Sequence, residues 1–128
     1  MAIRIVRLGT ERARGEGPRI GTVRRPPRGV PRSEYASQNW YDVWLPNVAP
    51  SPELMKLGKA AESEKDWAVF LKKYRAEMAD PEKSRILDLL AVLSHSANFS
   101  AGCYCENEKR CHRSVLRQLL AERGAKLE

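Results

Sequence analysis

No stretch of this 128-residue chain approaches the roughly 18 consecutive apolar residues that a membrane-spanning helix requires. The chain is therefore expected to have no membrane partner. No basic-then-apolar leader precedes the first strand-like segment, and the arginines at the front sit among strand-like apolar residues rather than on an amphipathic helix, so a cytoplasmic location is expected. No internal repeat and no low-complexity tract beyond a short basic front is visible. Histidine and cysteine are scarce, two and three residues, yet all three cysteines and one histidine fall between positions 103 and 112. Lysine is absent from the first 32 residues, although arginine occurs there nine times.

With 42% hydrophobic and 30% charged residues the composition is that of a globular protein, and the length suits one domain with one core over residues 1–128. Charge is divided unevenly. Residues 1–32 hold Arg4, Arg7, Arg12, Arg14, Arg19, Arg24, Arg25, Arg28 and Arg32 against Glu11 and Glu16, which accounts for the whole net charge of +7. A planar guanidinium can hold two phosphate or carboxylate oxygens at once, so this arginine-rich part points to an anionic small molecule or to nucleic acid. The bland alternative is a solvated basic loop.

Four segments have strand composition: Ile3 to Leu8, the stretch around Ile20 and Val23 cut off by Pro26 and Pro27, Trp40 to Pro46, and Asn98 to Tyr104. Between the third and fourth the hydrophobic period becomes helical. Ser51 before Pro52 and Glu53 reads as an N-cap for a helix ending at Gly58, and Trp67, Phe70, Leu71, Tyr74 and Met78 form one apolar face. Asp80 before Pro81 opens a helix whose Ile86, Leu87, Leu89, Leu90, Val92 and Leu93 leave little polar surface, so it is expected to be the most buried. Trp40, Tyr41 and Trp44 are expected in the core. The last helix carries Val115, Leu116, Leu119 and Leu120 inward and stops at Gly124. Strands separated by helical segments predict a single α/β domain with a mainly parallel sheet of about four strands, in which ligands gather where strand ends lead into helices.

The cysteine cluster lies at such a place. Cys103 and Cys105 are two apart at the end of an extended segment, and Cys111 stands at the start of the final helix, followed by His112 and Arg113. A helix start, with Arg110, His112 and Arg113 beside it, favours a thiolate, which makes Cys111 the expected reactive sulfur. Four chemistries fit these residues. Cys111 or Cys103 can serve as nucleophile with His112 carrying the proton, while Arg113, Arg28 and Arg24 bind an anionic group. Cys103, Cys105, Cys111 and His112 can hold zinc, although Cys111 and His112, being adjacent, diverge by about 100° on a helix. The thiols can form a redox-sensing pair, or they can simply be small core residues. Cys111 to Arg117 also satisfies the C-x5-R spacing of cysteine phosphatases. Without glycine and with helix-forming residues in between, that interval cannot form an anion-cradling loop. His95 is expected to serve a helix carboxyl end rather than a ligand.

Four blocks in this order, "VRRPPRGVPRSE", "WLPNVAPSPEL", "WAVFLKKYRAEM" and "CYCENEKRCHRSVL", resemble the domain of unknown function 488 (DUF488) family. The resemblance implies an α/β fold, carries no established reaction, and singles out Cys103, eight residues before Cys111, as its partner. The chain departs from the family's common pattern at Val23 and Pro26, where an acidic residue and a tryptophan are usual.

Overall fold

The structure, a computed structural model, describes residues 1–105 and 111–128. Among them are four strands, β1 (Ile3–Arg7), β2 (Arg19–Gly21), β3 (Val43–Trp44) and β4 (Phe99–Cys103). Four helices accompany them: α1 (Pro52–Ala60), α2 (Glu64–Met78), α3 (Pro81–Leu93) and α4 (His112–Glu122). The sheet order is β1-β4-β2-β3 and every pairing is parallel. This is the expected α/β architecture, with all strand carboxyl ends on one edge.

β4 is central, and all five of its residues are buried. Its small side chains permit close approach. A Cβ on Gly102 would stand 2.1 Å from the Val6 carbonyl oxygen of β1. Strand side chains alternate between faces, so Phe99, Ala101 and Cys103 share one face and Ser100 and Gly102 the other. Phe99 and Ala101 pack into the core formed with the helices, together with Trp67, Phe70, Tyr74, Leu87, Leu116 and Leu120. On α2 the ring of Phe70 stacks on Trp67 at 4.6 Å, and Tyr74 donates its hydroxyl to the Val48 carbonyl at 2.7 Å. The expected apolar face of α2 is thus present, with Leu71 at its half-buried margin.

Residues 8–18 run as a loop, braced by a buried ion pair. Arg19 pairs with Ser100 in register and donates Nε–H to Glu16 at 2.6 Å, with side chains only 1% and 3% exposed. Arg19 also donates to the carbonyls of Thr10, Glu11 and Asn39, and Glu16 accepts from the Ser100 hydroxyl and the Ala13 N–H. Every strong donor and acceptor here has a partner, the condition under which a buried ion pair is tolerated. Gly17 closes the loop at φ +82°, where a Cβ would collide with the Asn98 carbonyl.

Several boundaries differ from expectation. The second strand stops at Gly21, short of Val23, and the third keeps only Val43 and Trp44 because it is an edge paired on one side. Of the three aromatic residues around it, Tyr41 is buried and Trp40 half-buried. Trp44 is 42% exposed with its indole N–H donated to the Val23 carbonyl. α1 runs two residues past Gly58, capped as expected by the Ser51 side chain. The largest correction concerns α3. Only Leu87, Leu90 and Ala91 are buried, while Leu89, Val92 and Leu93 are 57%, 68% and 42% exposed. The second half of the helix is strongly apolar, yet only one face of it meets the core. Among the described residues no helix is long and apolar enough to cross a membrane.

Candidate functional site

At the carboxyl edge of the sheet the ends of β1, β2 and β4 open into a cleft of about 1070 Å³. Its walls come from elements far apart in sequence. Leu8, Gly9 and Thr10 follow β1, Val23 to Arg28 follow β2, Lys56 and Lys59 project from α1, and Cys103, Tyr104 and Cys105 end β4. Six cationic residues line it (Arg7, Arg24, Arg25, Arg28, Lys56 and Lys59), and no acidic side chain is among its described lining residues. Low-dielectric walls with one sign of charge focus the field and concentrate anions. Trp40 and Tyr104, edge-to-face at 5.6 Å, supply an aromatic flank.

Cys103 and Cys105 line this cleft, and Cys111 lies against Cys103. Because β4 ends at Cys103 and α4 starts at His112 with Cys111 as its N-cap, the strand end and the helix start meet there. Cys103 Sγ and Cys111 Sγ are 2.6 Å apart and both residues are buried. Cys105 is exposed and in hydrogen-bond contact with both. His112 is buried, its Nε2 lies 2.8 Å from the Thr22 carbonyl oxygen, and its Nδ1 lies 3.9 Å from Cys111 Sγ. A carbonyl only accepts, so Nε2 carries the hydrogen and the Nδ1 lone pair faces the thiols. Desolvation lowers the pKa of His112 and keeps the ring neutral. Tyr74 packs against it edge-on at 5.7 Å.

Three adjacent thiols share their charge unequally. Hydrogen bonds from Cys103 and Cys111 outweigh desolvation and hold the Cys105 thiol below its ordinary range, with the Arg113 guanidinium acting in the same direction. Cys103 moves the opposite way, raised by its hydrogen bonds to Cys105 and Cys111 and by burial. For Cys111 the Cys103 hydrogen bond lowers the pKa, but the Cys105 hydrogen bond and burial prevail and push it up to about 11. Cys111, the sulfur expected to ionise because it stands at the helix start, is the N-cap of α4 and is buried. The neighbour that faces the cleft is Cys105, which is exposed.

The other expected site residues divide. Arg28 lies exposed in the cleft wall. Arg24 lies there too, with Nε and Nη2 anchored on the Pro50 and Ala49 carbonyls. Arg113 is 4% exposed and is not a wall residue; it donates Nη2–H to the Cys105 carbonyl, and its Nε has no partner among the described residues. Arg110 lies outside the described residues. His95 donates to the Gly124 carbonyl beyond the end of α4 at 2.7 Å, the structural role expected of it. Cys111 to Arg117 is helical from His112 onward, which leaves no anion loop.

Lys56, Lys59 and Arg7 belong to the cleft without having been singled out from the sequence. The i, i+3 lysine pair on α1 is an ordinary surface pattern, and nothing local ties it to a distant cysteine cluster. Cys103, Cys111 and His112 also form a group whose donor atoms all lie within 4.8 Å of one another, close enough to hold a metal ion. Neither the curated proteins nor the solved structures contain a match to the chain. Residues 3–124, which include the whole sheet and the thiol cluster, match the family model DUF488-N3a, described as the active DUF488-N3 subclade, and the chain therefore belongs to the DUF488 family.

Proposed function

We propose that the chain is a thiol-dependent enzyme acting on a phosphorylated or nucleotide-like anion bound in the cleft. The observation that carries this reading is the exposed residue Cys105 in the wall of a cleft lined by six cationic residues, with no acidic side chain among its described walls. Arg28, Arg25 and the α1 lysines would receive the anionic group, and Arg24, already fixed on two carbonyls, would position it at little cost in side-chain entropy. Cys103 and Cys111 act as positioning residues that donate S–H to the Cys105 thiolate. His112 Nδ1 accepts the proton that leaves the cluster, and Arg113 holds the Cys105 backbone from behind.

In the reaction the Cys105 sulfur lone pair forms the new bond to the electrophilic centre, and the substrate's leaving group departs with the old bonding pair. Transfer of the held group to water or a second acceptor then restores the thiolate. Binding of nucleic acid by the arginine-rich front is less well supported. Arg4, Arg12 and Arg19 are already paired with Glu128, Asp42 and Glu16, which breaks up a continuous basic surface.

The test is a panel of phosphorylated metabolites and nucleotides, assayed for binding by calorimetry and for turnover. Cys105→Ala should abolish turnover and leave binding intact, and Arg28→Ala should weaken binding. Turnover that survives Cys105→Ala, or binding indifferent to Arg28→Ala combined with Lys56→Ala, would overturn the proposal.

A further inference from the structure

Three soft donors converge where β4 meets α4. The sulfurs of Cys103 and Cys111 and a ring nitrogen of His112 lie within 4.8 Å of one another, and all three residues are buried. The Nε2–H of His112 is committed to the Thr22 carbonyl, so its Nδ1 lone pair faces the thiols. Metal-ligating histidines are held in this way, with one nitrogen toward the ion and the other donated to a carbonyl that fixes ring and tautomer. Cys105, exposed on the cleft side and hydrogen-bonded to both buried thiols, lies beside these three donors, near enough to move in as a fourth.

The geometry points to a site for one thiophilic divalent cation of the Zn²⁺ type, bound by Cys103, Cys111 and His112 and closed on the cleft side by Cys105. Thiolate and imidazole suit such an ion, whereas Mg²⁺ and Ca²⁺ take oxygen donors, which this group does not offer. Tetrahedral coordination at Zn–S of about 2.3 Å holds two sulfurs about 3.8 Å apart. Cys103 and Cys111, now 2.6 Å apart, must therefore separate by about 1 Å on loading. Three thiolates and a dication leave one negative charge beside Arg113 and the cationic cleft. One consequence rests on the proposed function. A sulfur bound to the ion is no longer a free nucleophile, so the metal switches the enzyme off reversibly.

Full-length protein, reduced and stripped with a chelator, is titrated with Co²⁺ and then with Zn²⁺. One equivalent of Co²⁺ should bind with a thiolate-to-cobalt charge-transfer band and the visible bands of a tetrahedral ion, and Zn²⁺ should displace it. Cys105→Ala, at an exposed position that should not disturb folding, should weaken Zn²⁺ binding at least about tenfold while preserving the single equivalent. Absence of stoichiometric binding, a cobalt spectrum without the charge-transfer band, or Zn²⁺ affinity unchanged in both Cys105→Ala and Cys103→Ser would overturn the site. Rapid alkylation of Cys105 without metal binding would remove the metal site and leave the thiol enzyme standing. Metal binding with a metal-free Cys105 no more reactive than a free thiol would keep the site and remove its inhibitory role.

Discussion

Replacing Glu16 with glutamine removes one charge from the ion pair that braces the loop over the sheet. The substitution keeps the shape of the side chain but leaves the Arg19 guanidinium, 1% exposed, without its counter-charge. An exposed pair treated this way costs about 0–1 kcal/mol, whereas a buried charge left unpaired costs about 3–5 kcal/mol. The carbonyls of Thr10, Glu11 and Asn39 still accept from Arg19, so the lower half of that range, about 3–4 kcal/mol, is expected. For a domain of this size that lowers the thermal midpoint by roughly 10–15 °C. The assay is thermal and urea unfolding followed by circular dichroism, with the m-value unchanged. Glu16→Gln combined with Arg19→Met removes both buried charges and should recover much of the loss, because no orphaned ion remains. A loss below about 1 kcal/mol for Glu16→Gln, or a double variant as unstable as the sum of the singles, would refute the reasoning. Because Thr10 also lines the cleft, the single variant should weaken anion binding as well.

Acid should act through the same loop. Burial raises the pKa of Glu16 and of Asp42, but the Arg19 and Arg12 hydrogen bonds outweigh it and hold both below their ordinary values. A depressed folded-state pKa contributes stability above the unfolded value, and that contribution is lost as pH falls through the folded one. The urea midpoint should therefore fall below about pH 4, and it should fall less steeply in Glu16→Gln. Gly102→Ala, whose Cβ would meet the Val6 carbonyl, should destabilise the β1–β4 pairing by about 2–3 kcal/mol in urea unfolding, and an effect within 0.5 kcal/mol would contradict that close approach. Tyr74→Phe deprives the buried Val48 carbonyl of its donor and should cost about 1–2 kcal/mol by the same measurement, with unchanged stability counting against that bond.

The parallel architecture was legible because the β-branched runs and the period of α2 are local signals, and the caps at Ser51 and Gly124 are too. The meeting of Cys103, Cys111 and His112 could be expected because β4 leads into α4 within a few residues. The cleft could not. Its walls join residues some 50 to 90 positions apart, and the partners of Arg19 and Arg24 depend on tertiary carbonyls that composition does not register. The burial of Cys111 has the same origin, since sequence position supplies the favourable field at a helix start but does not register whether a sulfur faces solvent or protein. On α3 the apolar count overstated burial, because hydrophobicity says how much of a helix can be covered and not how much the rest of the chain covers.

The account turns on an exposed, anion-facing thiolate at Cys105. The most direct measurement is the rate of iodoacetamide alkylation at each cysteine of the reduced, metal-free protein at pH 6, read by peptide mass spectrometry with and without a nucleoside phosphate. Cys105 should react first, much faster than an unperturbed thiol, and the bound anion should slow it, while Cys103 and Cys111 stay protected in the folded state. Equal slow reaction at all three sulfurs, fastest reaction at Cys111, or indifference to the anion would contradict it.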